Sequence, residues 1–334
     1  MEDRELIGSL YPAQERNSLG IIRIKGDASN RQYFRVSGPG GSTIACIDPA
    51  FRGNDPDCYP FLIMRNLLAG HGVRVPAILG SNPGEGVLLL EDCGDLMLQD
   101  EIAILDQARL FARYRQVIDI LVRIQSIRPD GSAIPFSLSF DHDKLMFEFD
   151  FFIEHALRGY FSGVLDEDSI TALRREFYAI TNLLVRPEHF VLNHRDFHSR
   201  NIMLFKDEAV VIDFQDARLG LPQYDIVSLL RDSYVSLDTL LVEELKRYHF
   251  DQLCRIGLTT MDAGEYLRFF DLMAFQRNVK AVGTFCYQTA IVGNRSFEPC
   301  ILPTMAFLKD YIYAQPELAG AGRLLEPLIS KRTS

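Results

Sequence analysis

Along the first quarter of the chain, apolar and β-branched residues come in short runs: residues 20–25 (GIIRIK), 32–37 (QYFRVS), 42–48 (STIACID) and 86–91 (GVLLLE). Each run is bounded by Gly, Asn, Ser or Pro, residues that end strands and open turns, so the pattern predicts short strands. Between the third and fourth, residues 58–69 (CYPFLIMRNLLA) make an apolar run of helical length closed by Gly70. A small, mostly antiparallel sheet carrying one helix is expected here. After Gly94 the period lengthens: residues 105–127, 144–162, 167–185, 238–256 and 262–288 repeat apolar positions at the spacing of an amphipathic helix. Two β-like runs, 202–205 and 209–214, interrupt this helical part and are separated by the turn Lys206-Asp207-Glu208. The chain thus reads as an α+β protein of two lobes, a small β lobe over residues 1–92 and a larger, mainly helical lobe over 93–334, with residues 128–133 (RPDGSA) as a surface loop.

Composition narrows the function classes. A chain of 334 residues with 47% hydrophobic content can bury a substantial core. The formal charge of −10 and the lack of clustered Lys and Arg argue against general nucleic-acid binding. No stretch approaches the roughly 20 apolar residues of a membrane span, and the N-terminus (MEDRELIGSL) is acidic where a signal peptide would be basic. The six cysteines are scattered, without a CxxC pair, so they are expected to be reduced thiols in a cytoplasmic protein. A small-molecule partner and a monomer are expected.

The segment His194-Arg195-Asp196-Phe197-His198-Ser199-Arg200-Asn201, followed by the hairpin and Val211-Ile212-Asp213-Phe214, changes the picture most. Phosphoryl transfer requires a carboxylate to orient the acceptor hydroxyl and oxygen ligands to hold Mg²⁺ on the phosphates of ATP. Asp196 can supply the first, and Asn201 and Asp213, at the two ends of the hairpin, the second. A surface loop whose Asp and Asn serve turns and caps is the alternative. A β lobe followed by a helical lobe that carries the motif favours the catalytic reading.

These residues resemble the catalytic and metal-binding segments of the aminoglycoside phosphotransferase and choline kinase superfamily, which has a protein-kinase-like fold. Within it the chain is similar to the bacterial anomeric sugar kinases that act on N-acetylmuramate and N-acetylglucosamine. The likeness is carried by residues 26–35 (GDASNRQYFR), 194–201, 212–217 (IDFQDA) with 224–232 (YDIVSLLRD), and 276–285 (QRNVKAVGTF). It implies Asp196 as catalytic base, Asn201 and Asp213 as Mg²⁺ ligands, and His194 and Asp225 as supports of the catalytic loop.

The resemblance also places ATP. The turn holding Asp27, Ala28, Ser29, Asn30 and Arg31 would cover its phosphates, although the same residues make a good hairpin turn. Glu91, Asp92 and Cys93, where a buried strand ends, would face adenine, or simply form a turn. His198, Arg277 and Lys280 are the acceptor candidates. Arg277 and Lys280 fall on one helix face, where a cationic pair suits an acidic acceptor such as a lactyl carboxylate. Their alternative is a solvated face. One departure from the superfamily stands out: the third strand carries no lysine for the α- and β-phosphates, and the following helix carries no partner glutamate. Lys25, Arg31, Arg35 and Arg52 are left as substitute cations. The expectation is an ATP- and Mg²⁺-dependent amino-sugar kinase. Kinases of an aminoglycoside, choline or another amino alcohol, and a nucleotide-binding pseudokinase, are the alternatives.

Overall fold

The computed structural model describes residues 2–24, 31–129 and 134–330. The chain folds into two units, residues 1–98 with 201–216, and residues 99–200 with 217–334. This differs from a single cut after residue 92, because the hairpin that follows Asn201 groups with the β unit.

The first unit is built on a five-stranded antiparallel sheet in the order β1-β2-β3-β5-β4. Its strands are β1 (Gly20–Ile24), β2 (Gln32–Gly38), β3 (Gly41–Ile47), β4 (Ile78–Asn82) and β5 (Val87–Glu91). Alternate residues Phe34 and Val36, Ala45 and Ile47, and Val87 and Leu89 share one buried face with Leu19 and with Ile7 of helix α1 (Glu2–Gly8). β5 is buried along Val87–Leu90, so its opposite face is covered too. Each of these side chains larger than Ala45 contributes about 1.5–3 kcal/mol relative to exposure. Helix α2 (Pro60–Gly70) carries Pro at its first turn, where the missing N–H is harmless. Gly86, at φ +71°, turns the chain into β5 where a Cβ would stand 2.8 Å from the Asp48 carbonyl oxygen. The hairpin Ile202–Phe205 with Glu208–Val211 completes the unit, turning on Lys206 and Asp207, both at positive φ.

The predicted strands and α2 are present. Two elements of this unit were not predicted. α1 has Ile7 as its fully buried apolar anchor, too little for a readable period. β4 contains Gly and Asn and owes its strand character to pairing with β5 across a bulge.

The second unit is mainly helical: α3 (Gln107–Gln125), α4 (His142–Phe152), α5 (Glu167–Leu184), α6 (Gln223–Leu230), α7 (Thr239–Arg255), α8 (Ala263–Tyr287), α9 (Glu298–Ala314) and α10 (Ala319–Ile329). Aspartates cap α3, α4, α5, α7 and α8, each side chain accepting from an N–H of the first turn. α4 continues into a π-helical turn, Ile153–Tyr160, within the predicted 144–162 segment. α9 and α10 were not predicted, and internal prolines, Pro303 and Pro327, mask their pattern. Gly283 of α8 lies against Phe152 of α4, where a Cβ would come within 2.8 Å of the Phe152 Cα. That close approach brings the two helices together and sets the polar residues one to two turns away against each other. No helix among the described residues is long and apolar enough to cross a membrane.

Candidate active site

A short two-stranded sheet, Val191–Asn193 paired with Arg218–Gly220, fixes the start of the motif in the helical unit. Its second strand leads into α6, whose residues are all buried. Asp225 in the first turn of α6 accepts the backbone N–H groups of His194, at 2.5 Å, and Arg195, at 3.0 Å. Burial pushes its carboxyl up to about 7, against the pull of these two hydrogen bonds and of Arg277. At the far end of the loop, Ser199 donates both its N–H, at 2.9 Å, and its hydroxyl, at 2.6 Å, to buried Asp232. Two carboxylates therefore bracket residues 194–199, and Asp232 was not foreseen as one of them. Between them Arg195 adopts φ +87°, a conformation rarely held without such bracing. His194 is buried, and its Nδ1 accepts the N–H of Asp196 at 3.3 Å.

Asp196 is met by three cations. Lys280 Nζ lies 3.2 Å and Arg277 Nη1 3.6 Å from its Oδ1, and Arg195 Nε lies 4.0 Å from Oδ2. Burial alone would raise the Asp196 carboxyl, but Lys280, Arg277, Arg195 and His198 hold it well below the usual carboxylate range. Arg277 also stacks on Tyr224, 4.8 Å from the ring centroid. Arg277 and Lys280 were expected on a face open to the acceptor. They are largely buried and reach the carboxylate itself. The His198 ring packs edge-on to Tyr234 at 5.3 Å, and burial lowers its pKa. Glu148 of α4 and Gln276 of α8, neither assigned a role from sequence, adjoin this network: Gln276 Nε2 donates to Glu148 Oε2 at 2.9 Å.

The other half of the motif lies in the β unit. Asp213, at φ +62°, ends the hairpin's second strand early, at Val211 rather than 214. Asn201 and Asp213 come together there: the Ile212 N–H donates to the Asn201 carbonyl at 3.1 Å, and Asn201 Nδ2 lies 3.5 Å from Asp213 Oδ2. Gln215 Nε2 holds the other Asp213 oxygen at 2.9 Å. Among the described residues no group of three or more His, Cys, Asp or Glu could hold a metal by itself. One carboxylate and one amide suit Mg²⁺, which takes few protein ligands and completes its shell with water and phosphate oxygens.

The nucleotide-binding candidates fare differently. Asp27, Ala28, Ser29 and Asn30, with Lys25, lie outside the described residues. Arg31 donates to Asp48 at 2.8 Å, Tyr59 hydroxyl donates to the same oxygen, and the guanidinium stands 5.8 Å from the Phe61 ring. Phe61 in turn packs on Phe214, at 5.0 Å, next to Asp213. Arg31, Asp48 and Tyr59 thus form one hydrogen-bonded cluster. Arg35 clamps Asp92 and Asp95 at 2.8 Å each, and Arg52 makes an exposed pair with Glu85. Glu91 pairs with Arg74 at 2.5 Å and its N–H donates to the Ala77 carbonyl. Asp92 also accepts the Gly94 N–H, forming the turn, and burial raises the Cys93 thiol to about 11.

Residues 20–263 match the family described as "Phosphotransferase enzyme family". The chain is 31% identical to the N-acetylmuramate/N-acetylglucosamine kinase of Pseudomonas aeruginosa, over 96% of this chain and 90% of that one. It is 32% identical to the kinase of the same name from Pseudomonas putida, over 90% and 86% of the two chains. Among solved structures, a Plasmodium vivax ethanolamine kinase superposes with a TM-score of 0.65 at 13% identity, covering 96% of this chain and 89% of that one, which bears on the fold alone. The expected resemblance and the α+β, kinase-like fold are both borne out.

Proposed function

The chain belongs to the phosphotransferase enzyme family, and from that premise we propose that it transfers the γ-phosphoryl group of ATP to the anomeric hydroxyl of N-acetylmuramate or N-acetylglucosamine. Two observations support the acceptor: the names of the relatives that match nearly the whole chain, and the convergence of Arg195, Arg277 and Lys280 on Asp196. The second carries the reading. A cationic acceptor such as choline or an aminoglycoside would bring like charge against this cluster, which disfavours it. A neutral or anionic sugar meets no such repulsion. The intact set of Asp196, Asn201 and Asp213 weighs against a nucleotide-binding protein without catalysis.

In this reading Asp196 accepts the hydrogen bond of the anomeric hydroxyl and aims its oxygen at the γ-phosphorus. A carboxylate held so far below the usual range is a weak base. That suffices, because phosphoryl transfer passes through a loose transition state in which the proton is surrendered late. Arg277 and Lys280 keep Asp196 ionised and oriented. Asn201 and Asp213 hold Mg²⁺, which when bound neutralises charge on the transferring phosphoryl group. Arg31, one aromatic contact from the residue beside Asp213, takes the part of the missing third-strand lysine, steadied by Asp48 and Tyr59.

The test is product analysis. Incubated with ATP and Mg²⁺ against N-acetylmuramate, N-acetylglucosamine, choline and kanamycin, the protein should yield a sugar phosphate whose phosphorus couples to the anomeric proton. Turnover of choline or kanamycin in preference to both sugars would contradict the reading.

A further inference from the structure

We infer that Glu148 and Gln276 form a hydrogen-bond-accepting subsite for the acceptor beside Asp196, taking an uncharged donor, a sugar hydroxyl or an acetamido N–H. The inference rests on the sugar-kinase reading above and adds the residues that hold the sugar.

Glu148 is 3% exposed and Gln276 fully buried, and they meet across α4 and α8 through one hydrogen bond, Gln276 Nε2 to Glu148 Oε2. That bond fixes the remaining atoms. The Gln276 amide nitrogen must face the carboxylate, so its oxygen is turned away, and both this oxygen and Glu148 Oε1 are buried without a hydrogen-bond partner. Lys144 Nζ stands 3.6 Å from Glu148 Oε1, near enough for charge pairing but too far for a hydrogen bond. Two neighbouring acceptor atoms with nothing donating to them, one of them anionic, are costly in a protein interior. They mark a place where a ligand's donors complete the network.

The position is that of an acceptor site. Gln276 and Lys280 lie one turn apart on the same face of α8, and Lys280 reaches Asp196. The pair therefore adjoins, on α8, the residue that reaches the carboxylate receiving the reacting hydroxyl. The charge of Glu148 also acts on Arg277 and Lys280. The Tyr224 hydroxyl, under Arg277, is likewise buried without a hydrogen-bond partner. A donor bearing positive charge is disfavoured here, because Lys144, Arg277 and Lys280 surround the pair. An O–H or amide N–H donates equally well and brings no charge.

The experiment compares E148Q and Q276L with the wild type, measuring acceptor and ATP KM, kcat, acceptor Kd by calorimetry without nucleotide, and Tm, with N-acetylglucosamine as probe. The expected result for each folded variant is an acceptor KM and Kd raised together by about tenfold or more, with the ATP KM within about twofold of wild type. A merely structural role would move Tm and leave the acceptor Kd alone. Acceptor constants within about twofold of wild type in a folded E148Q would overturn the inference, and if E148Q does not fold, the same outcome in Q276L would. If the wild type phosphorylates choline or kanamycin instead, the sugar reading fails by itself, and the same ratios measured with kanamycin, which has further hydroxyl donors, still judge the subsite. If no acceptor binds, both fail.

Discussion

The cations around Asp196 in the helical unit are used differently from the paired arginines of the β unit. In the β unit four arginines are paired with carboxylates of their own: Arg31 with Asp48, Arg35 with Asp92 and Asp95, Arg52 with Glu85, and Arg74 with Glu91. The helical unit has such pairs too, Arg113 with Glu101, Arg174 with Asp150 and Arg268 with Glu317, but there Arg195, Arg277 and Lys280 also converge on one carboxylate, Asp196. One-to-one pairs fasten strand ends and turns, and a three-to-one cluster holds one carboxylate ionised in a place where burial opposes ionisation. The same residue types thus do structural work in the pairs and electrostatic work in the cluster. Geometry around the carboxylate tells the two apart.

Substituting Lys280 breaks the contrast most sharply. The cation favours the charged form of Asp196, so removing it raises the carboxyl pKa. The acid limb of the kcat/KM profile of K280M should therefore lie at higher pH than that of the wild type, whereas K280R should keep it in place. Coincident profiles would mean that Lys280 does not tune Asp196. Arg35→Ala should have the smaller and different effect expected of a clamp: a loss of about 1–3 kcal/mol in denaturant unfolding, from the hydrogen bonds to Asp92, Asp95 and the Gly94 carbonyl, with kcat within about threefold. A large fall in kcat with unchanged stability would instead put Arg35 among the catalytic cations.

Much of this was legible in sequence because it is local. Asp196, Asn201 and Asp213 fall within one short segment whose hairpin spacing brings the last two together, and short β-branched and apolar runs bounded by turn residues marked β1, β2, β3 and β5. Residues whose meaning depends on distant partners were not legible. Glu148 is an unremarkable acid in an amphipathic helix until Gln276, 128 positions later, lies against it. Asp232 reads as the end of a helix, and only its two bonds from Ser199 reveal it as a brace. Arg277 and Lys280 were found through resemblance, which identified them as acceptor residues. Their contact with Asp196 is something a one-dimensional pattern does not carry. Arg31 was among the candidate substitute cations, but its partners Asp48 and Tyr59 were not legible, because they come from just past the end of β3 and the residue before α2.

The central claim, that Asp196 receives the acceptor hydroxyl in a sugar kinase, is tested most directly by Asp196→Asn. The variant keeps the shape of the side chain and removes its charge. With N-acetylmuramate or N-acetylglucosamine, ATP and Mg²⁺, its kcat should fall by about 10²–10⁴-fold while the folded protein still binds nucleotide. A folded D196N that retains more than about a tenth of the wild-type rate would contradict the account.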